Sequence, residues 1–263
     1  MPSAHDFDHR LFFAAPPWPD AGETLVLDPR EARHATRARR LSVGDRLQLV
    51  DGDGHRATGA IAALEGARVT VRLEAIAAEA LAPPVDLAVP YLSAPARLDW
   101  AIEKGTELGV RRFDVFTPAR GVKRAGPRGE TRVARWRQLA RAAMKQAGRS
   151  WWPRVEYWPG IADLMEQRKD AGLWVRGEPH GRPPVAVFGP LAPETPLQLV
   201  VGGEGGWSPE EERLLARCGA RPCRLGPYRL RAETAAIALA AAAAVRGAAG
   251  GREAEDRTGG EES

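Results

Sequence analysis

The sequence predicts an α/β protein with two domains, a small β-rich domain followed by a larger domain of alternating strands and helices. A chain of 263 residues is long enough for two modest domains, and 44% hydrophobic residues are sufficient for buried cores. Short strand patterns separated by turn residues fill the first third of the chain. Beyond about residue 85 strand and helix patterns alternate, which is typical of a mostly parallel sheet covered by helices.

The front domain is expected at residues 1–79 and to consist of hairpins. Residues 51–54 (Asp-Gly-Asp-Gly) form a strong tight-turn signal, and Glu65-Gly66 marks a second turn. Alternating polar and apolar residues on either side of these turns predict strands at Arg46–Val50, His55–Leu64 and Ala67–Ile76. Ala-Pro-Pro within residues 80–84 predicts a linker.

The second domain is expected at residues 85–248. Its predicted strands are Val85–Leu92, Phe113–Phe116, Leu173–Val175, Leu197–Val201 and Cys223–Leu225. Its predicted helices are Leu98–Leu108, Arg132–Ala147, Pro209–Arg217 and Ala232–Arg246. Ser208 is the expected N-cap of the third helix, with Pro209 at its first position and acids in its first turn. Residues 249–263 are expected to be disordered.

Several classes of protein are disfavoured by composition. No apolar stretch has the length needed to cross a bilayer, and residues 1–10 lack the apolar core of a signal peptide, so we expect a cytoplasmic protein with no membrane partner. Cys218 and Cys223 are too few for a structural zinc site, and no metal is expected. Two reduced thiols are favoured over a disulfide between them.

Positive charge is concentrated in one segment. Residues 120–154 contain eleven basic side chains and one acid, Glu130: the basic residues are Arg120, Lys123, Arg124, Arg128, Arg132, Arg135, Arg137, Arg141, Lys145, Arg149 and Arg154. Arg137, Arg141 and Lys145 recur at four-residue steps on one helix face, where like charges repel. Such a concentration indicates a polyanion, and we favour nucleic acid over an ordinary solvated helix face.

Two further motifs indicate a small-ligand site. Residues 201–206 (Val-Gly-Gly-Glu-Gly-Gly) lie between an apolar strand and a capped helix, where glycine lets the backbone approach a ligand. Residues 225–235 (Leu-Gly-Pro-Tyr-Arg-Leu-Arg-Ala-Glu-Thr-Ala) lead into the last helix. The G-x-G-x-x-G and G-x-x-x-x-G-K-[ST] fingerprints are both missing, so a dinucleotide or ATP site is poorly supported.

These motifs together resemble the ribosomal RNA small subunit methyltransferase E family. Residues 103–110 are similar to its E-K-x-T-E-L-G signature, residues 202–211 to G-P-E-G-G-[FW]-[ST]-x-x-E, and residues 225–235 to L-G-x-x-[IL]-L-R-x-E-T-A. His34-x-x-Arg37-x-x-Arg40-Leu41-x-x-Gly44-Asp45 and the start at Arg10 also match. Four motifs in register over residues 9–246 make the resemblance specific.

The resemblance implies a PUA-like barrel followed by a SPOUT domain with a C-terminal trefoil knot, a topology that general folding rules disfavour. It also implies a homodimer that methylates N3 of a uridine in 16S rRNA with S-adenosylmethionine. The small ribosomal subunit or its 16S rRNA is the implied partner. The remaining alternatives are a related enzyme acting on another RNA position and a non-enzymatic RNA-binding or ribosome-assembly protein.

By the same resemblance, loops at residues 199–206 and 225–230 hold the donor. The expected donor-binding residues are Leu199, Val201, Gly202, Gly205, Gly206, Leu225, Gly226 and Leu230. Arg231 is expected to stabilise negative charge on the uracil, with Glu204 and Glu233 accepting its proton or orienting the acceptor. The expected RNA-binding residues are Arg10, Arg33, Arg37, Arg40, Arg120, Lys123, Arg137, Arg141 and Lys145.

Three departures from the family pattern limit what the resemblance implies for this chain. Gly203 replaces proline in the first loop, so this loop is expected to be less rigid. Ala232 replaces threonine at the start of the last helix, which removes a potential cap or substrate contact. Lys145 stands where an acid is common, which makes its helix more basic.

Overall fold

A computed structural model describes residues 10–79, 84–121, 127–192 and 194–255, without the side chains of residues 127–131 and 247–255. Lys123 and most of the expected linker lie outside the described residues. The chain divides into two compact units, residues 1–81 with 141–152, and residues 82–140 with 153–263. The sequence prediction assigned residues 141–152 to the second domain, whereas they cluster with the first unit.

The first unit contains a five-stranded sheet. Its strands are β1 (Leu11–Phe13), β2 (Thr24–Val26), β3 (Arg46–Val50), β4 (His55–Glu65) and β5 (Arg68–Ala78), in the order β1-β3-β4-β5-β2. β1 pairs parallel with β3, and the remaining pairs are antiparallel. The three predicted strands are confirmed, because their alternation and turn glycines are local signals. Gly52 and Gly54 have φ of 87° and 97°, which glycine adopts at low cost.

A short helical segment connects β2 to β3. It comprises α1 (Pro29–Arg33) and a π-helical turn at His34–Ala38. The side chain of Asp28 caps α1 by accepting hydrogen bonds from the amides of Arg30 and Glu31. Neither element was predicted, since five-residue helices carry too little periodicity.

The core of the first unit lies on one face of its sheet. Alternate residues of β3, β4 and β5 are fully buried there, together with Phe12 and residues of the helical segment: Leu47, Leu49, Ala57, Ile61, Val69, Val71 and Leu73. A smaller cluster joins Phe13 and Val50 to Met144 and Trp152. This cluster explains why residues 141–152 belong to the first unit.

The second unit contains a six-stranded sheet in which every pair is parallel. The strands are β6 (Val85–Pro90), β7 (Arg112–Phe116), β8 (Arg154–Trp158), β9 (Leu173–Arg182), β10 (Leu197–Val200) and β11 (Arg221–Cys223), in the order β11-β9-β10-β6-β7-β8. All residues of the central strands β6 and β10 are buried, as expected for strands covered on both faces. The predicted parallel sheet is confirmed, with β8 added and β9 longer than expected.

Six helices accompany this sheet: α2 (Pro95–Glu107), α3 (Pro127–Gln146), α4 (Ile161–Gln167), α5 (Pro184–Phe188), α6 (Pro209–Arg217) and α7 (Ala232–Glu255). The predicted cap of α6 is confirmed, since Ser208 and Glu211 form a reciprocal capping box. α7 continues to Glu255, beyond the expected end at Arg246 and into the segment expected to be disordered. Among the described helices none is long and apolar enough to cross a membrane.

The core of the second unit is continuous from the sheet to the helices. α7 packs against α2 and β6 through Ala236, Leu239 and Ala243, all buried. Trp136 and Ala140 of α3 are fully buried in the same cluster, as the apolar stripe of that helix predicted. The helices therefore hold the strand ends, and the loops that follow them, in fixed positions.

Candidate active site and basic surfaces

A cleft of about 930 Å³ lies within the second unit. Its walls come from residues 177–179 of β9, the loop after β10, the loop after β11 and the start of α7. The two loops follow the carboxyl ends of parallel strands, which is the usual position of a ligand site in an open α/β sheet. Both motifs that predicted a ligand site therefore meet in one place.

The glycine-rich loop at residues 201–206 packs closely against the segment after β7. A Cβ on Gly205 would lie 2.9 Å from the Cβ of Arg120, and one on Gly203 would lie 3.0 Å from the Cβ of Pro118. The Arg120 guanidinium donates to the carbonyl of Trp207 at 3.0 Å, and the Ala119 amide donates to Glu211 at 3.0 Å. A side chain at position 205 would therefore force Arg120 to shift, whereas one at position 203 would need a displacement of only a few tenths of an ångström by Pro118.

The loop at residues 225–231 borders an open part of the cleft. No atom lies within 4 Å of the position that a Cβ on Gly226 would occupy. Val201, Leu225 and Leu230 supply apolar lining, and Gly177 lies close behind them, its Cβ position 3.3 Å from Val201. The arrangement leaves backbone groups and small apolar side chains facing a ligand.

Arg97 joins the two predicted acids of the site. Its Nη1 donates to Glu204 Oε1 at 3.1 Å, and its Nε lies 3.5 Å from Glu233 Oε1. Ser93 Oγ donates to the other oxygen of Glu204, also at 3.1 Å. Glu233 is buried in the first turn of α7, where the helix dipole favours a negative charge. Both oxygens of Glu204 have polar partners, whereas among the described residues Arg97 is the one ion-pair partner of Glu233.

Three exposed residues of the second loop line the same cleft: Tyr228, Arg229 and Arg231. Within the described part of the chain, none of their side chains makes a hydrogen bond or an ion pair. Tyr228 has an exposed fraction of 82%. These side chains are therefore available to an anionic or aromatic ligand.

The structure brings together most of the predicted donor-binding residues. Val201, Gly202, Gly206, Leu225, Gly226 and Leu230 line the cleft. Leu199 is instead fully buried within β10, and Gly205 faces Arg120. Of the predicted catalytic residues, Glu204 and Arg231 line the cleft, and Glu233 lies behind Arg97.

Sequence reasoning missed Arg97, residues 177–179 and Trp207 as cleft residues. Arg97 gave no signal, because a basic residue in the first turn of an amphipathic helix is common on protein surfaces. Residues 177–179 follow the predicted end of β9, and Gly177-Glu178-Pro179 interrupts the apolar pattern that marked the strand. Only the sheet order places these residues beside the loop after β10.

A basic surface is present on the helical segment of the first unit. Arg33, Arg37 and Arg40 are exposed, and within the described residues they have no polar side-chain partner. Arg40 has a φ of 54°, unusual for a residue with a side chain, and follows the π-helical turn. Both features are frequent at functional segments. Arg10 is held by Asp45 at 3.2 Å and is partly exposed.

The predicted basic residues of α3 have intramolecular partners. Lys145 pairs with Glu31 at 2.6 Å, and Glu31 is only 4% exposed. The Arg141 guanidinium lies 3.6 Å from the ring centroid of Phe13 and 5.1 Å from that of Trp152. Arg137 donates to the Val155 carbonyl at 3.2 Å while remaining exposed. Arg141 and Lys145 thus stabilise the first unit, whatever contact they make with RNA.

Within the described residues no group of three His, Cys, Asp or Glu is arranged to hold a metal ion.

Comparison with known proteins agrees with this geometry. A family model described as an RNA methyltransferase domain matches residues 80–244, and one described as an RNA methyltransferase PUA domain matches residues 27–74. The two family models therefore define an RNA methyltransferase with a PUA domain.

The particular family is shown by its relatives. The chain is 34% identical over 238 residues to ribosomal RNA small subunit methyltransferase E of Mycobacterium bovis, covering 88% of this chain and 90% of the relative. It is 27% identical to the Bacillus subtilis protein of the same name, covering 81% and 87%. The chain belongs to the ribosomal RNA small subunit methyltransferase E family. A solved family structure from Neisseria gonorrhoeae, bound to S-adenosylmethionine, is 25% identical with a TM-score of 0.76, covering 90% and 96%.

Proposed function

We propose that this protein transfers a methyl group from S-adenosylmethionine to N3 of a uridine in 16S rRNA of the small ribosomal subunit. The observation that carries the proposal is the cleft in which both family loops meet, lined by glycine, small apolar residues and an unpaired arginine. The protein acts in the cytoplasm, where small subunits are assembled and used.

The cleft fits the donor in size and chemistry. Its volume of about 930 Å³ is in the range of ligand pockets. The space beside Gly226 is open to a group of the donor, since Gly226 lines the cleft and a Cβ there would meet no atom within 4 Å. Val201, Leu225 and Leu230 contact apolar parts of the donor, while loop backbone groups hydrogen-bond its polar parts. When bound, S-adenosylmethionine supplies a methyl group already activated by its sulfonium.

The chain's own residues orient the uracil base and take up the proton that leaves its N3. Uracil N3 carries a proton that must leave before or during attack, and the negative charge then spreads to the flanking oxygens. Arg231 stabilises that charge, because its guanidinium is unpaired and lines the cleft. Glu204, which lines the cleft and is held by Arg97 and Ser93, and Glu233, which is held by Arg97, are the candidates for accepting the proton or orienting its acceptor.

The first unit holds the RNA through phosphate contacts from Arg33, Arg37 and Arg40, with Arg10 adding charge, and Arg137 of the second unit adds a further charge. Each phosphate contact releases condensed counterions. Replacement of Arg33 or Arg37 by alanine is therefore expected to weaken RNA binding and to lower the slope of log affinity against log salt by about 0.7 to 0.9 per residue. A flat salt response of the parent protein would contradict this part of the proposal.

Two further features follow from family membership and are part of the proposal. The loop at residues 225–230 threads a trefoil knot, and two copies of the chain form a homodimer. The packing of α7 against α2 and β6 is consistent with a C-terminal segment tucked behind the central strands. Light scattering of the purified protein tests the dimer, and a monomeric mass at micromolar concentration would exclude it.

Transfer itself is tested with S-adenosylmethionine labelled in its methyl group and small subunits from a strain lacking the family enzyme. Nuclease digestion and mass spectrometry of the RNA should yield 3-methyluridine. Label in another nucleoside would favour the alternative of a different RNA position. Tight RNA binding without any transfer would favour the non-enzymatic alternative.

A further inference from the structure

Tyr228 occupies an unusual position for an aromatic side chain. It has an exposed fraction of 82% and lines the cleft, and it makes no hydrogen bond or ring contact with any described residue. Most large apolar side chains of the second unit are buried, so this ring is left in water at the rim of the ligand site. Side chains on loops beside a rigid scaffold are frequently those that contact ligands.

The loop that carries Tyr228 also carries exposed cationic residues and partly buried apolar residues. Arg229 and Arg231 flank it in sequence, are exposed and line the same cleft without a polar partner among the described residues. Leu230 and Leu225, in contrast, are partly buried in the inner wall. An aromatic face beside free guanidinium groups matches the two halves of a nucleotide, a stackable base and a phosphate.

The inner and outer parts of the cleft differ in what they can hold. The free space at Gly226 and the lining of Val201 and Leu225 suit the donor, since they lie on the loops that pack against the sheet. Tyr228 lines the same cleft but is exposed, so a nucleotide that arrives from solvent can contact it. A uridine whose N3 reacts cannot remain paired, so it has to be turned out of its helix and supported by new contacts.

We propose that Tyr228 is the stacking platform for the target nucleotide or its immediate neighbour in the RNA, with Arg229 contacting the adjoining phosphate. This inference rests on the proposed function and adds to it a nucleobase subsite. Stacking on Tyr228 repays part of the energy needed to unstack the base, and it selects a flat ring without selecting a sequence.

The test compares three substitutions of Tyr228, namely Tyr228→Ala, Tyr228→Leu and Tyr228→Phe. Three quantities are measured: KM for unmodified small subunits in methyl transfer, Kd for S-adenosylmethionine by calorimetry, and mass by light scattering. Base–aromatic stacking contributes enough that Tyr228→Ala is expected to raise KM for the RNA substrate about 10- to 100-fold. Tyr228→Phe keeps the ring and should stay within about threefold of the parent, with Tyr228→Leu between the two.

Affinity for a labelled single-stranded RNA containing uridine gives a second readout that needs no transfer. Tyr228→Ala is expected to weaken this binding about tenfold or more. Arg229→Ala is expected to lower its salt slope by about 0.7, while Arg217→Ala, an exposed arginine on α6 outside the cleft lining, should leave the slope unchanged.

Several results would overturn the inference. An unchanged KM and RNA affinity in Tyr228→Ala would show that the ring contacts no base. A loss of donor affinity equal to the rise in KM would place the adenine of the donor on Tyr228 instead. A changed mass would show that the ring is part of a contact between copies of the chain. Failure of the proposed function is distinguishable, because the parent protein would then transfer no methyl group to RNA before any substitution is made.

Discussion

The ion pair of Arg97 with Glu233 gives a prediction whose size follows from the structure. The substitution Arg97→Met keeps most of the apolar stem and removes the guanidinium that two carboxylates share. Loss of one partner of a fully buried pair costs about 3 to 5 kcal/mol, and loss of an exposed pair about 0 to 1 kcal/mol. Glu233 is 10% exposed and Arg97 35% exposed, so this pair lies between the two limits.

We therefore expect Arg97→Met to lower the free energy of unfolding by about 2 kcal/mol, mostly because Glu233 is left buried without a partner. Its contact with Glu204 adds little, since those side chains are 35% and 43% exposed. The double variant Arg97→Met/Glu233→Gln removes the unpaired charge as well. The free energy of unfolding that the double variant loses should be smaller than the sum of the two single losses by about 1 kcal/mol or more.

Urea unfolding followed by circular dichroism measures all four proteins of this cycle. The matched control is Arg213→Met, since Arg213 pairs with Glu210 at a shorter distance of 2.8 Å but with side chains 68% and 64% exposed. The control should change stability by less than about 0.5 kcal/mol. Additivity of the Arg97 and Glu233 effects within about 0.3 kcal/mol would refute the reasoning, as would an equal effect in the control.

Three further predictions concern the rest of the molecule. Burial raises the pKa of Cys223 to about 11, whereas Cys218 is exposed. A thiol reagent at pH 8 should therefore label one cysteine in the native protein and two after denaturation. Labelling of both cysteines in the native protein would contradict the buried position of Cys223. Lys145→Met leaves Glu31 buried without its partner and should lower the free energy of unfolding by about 2 kcal/mol. Adding Glu31→Gln to this variant should restore part of that loss. Equal stability of Lys145→Met and the parent would refute the structural role of the pair. Burial raises the pKa of Asp114, so the folded state binds the Asp114 proton more tightly than the unfolded state does, and the resulting stability is present at low pH and lost as the pH rises through the raised pKa. The melting temperature of the parent minus that of Asp114→Asn should therefore fall from pH 4 to pH 7. A difference that stays constant or rises would contradict the raised pKa.

The parts of the fold that sequence predicted are those with strong local signals. The alternation of Arg46–Val50, the Asp-Gly-Asp-Gly turn after it and the Ser208 capping box each depend on neighbouring residues, and the structure confirms all three. β8 at Arg154–Trp158 and α4 at Ile161–Gln167 were missed, because they are short and their patterns are mixed. The π-helical turn at His34–Ala38 has no sequence signature of its own.

The site was predicted less completely than the fold, for a related reason. The glycine loop and the loop at residues 225–231 are contiguous motifs, so their residues were identified. Arg97 contributes through contacts more than a hundred residues away in sequence, with Glu204 and Glu233. The positive charge of α3 indicated a polyanion, yet Lys145 and Arg141 have partners in the first unit that only tertiary structure reveals. The sequence of one chain does not determine which side chains distant in sequence pair with one another in the fold.

The central claim is that the cleft holds S-adenosylmethionine, and calorimetry with a substitution at Gly226 tests it most directly. Gly226 lines the cleft and a Cβ there meets no atom within 4 Å, so Gly226→Val is expected to narrow the cleft without a clash, whereas a substitution at Gly205 would collide with Arg120. The control Ala216→Val introduces the same side chain at an exposed position on α6. The account predicts that the parent and Ala216→Val bind S-adenosylmethionine alike, and that Gly226→Val binds at least about tenfold more weakly while its melting temperature stays close to that of the parent, since each 1.4 kcal/mol of lost affinity is a factor of ten. Equal binding by all three proteins, or no binding by the folded parent, would contradict it.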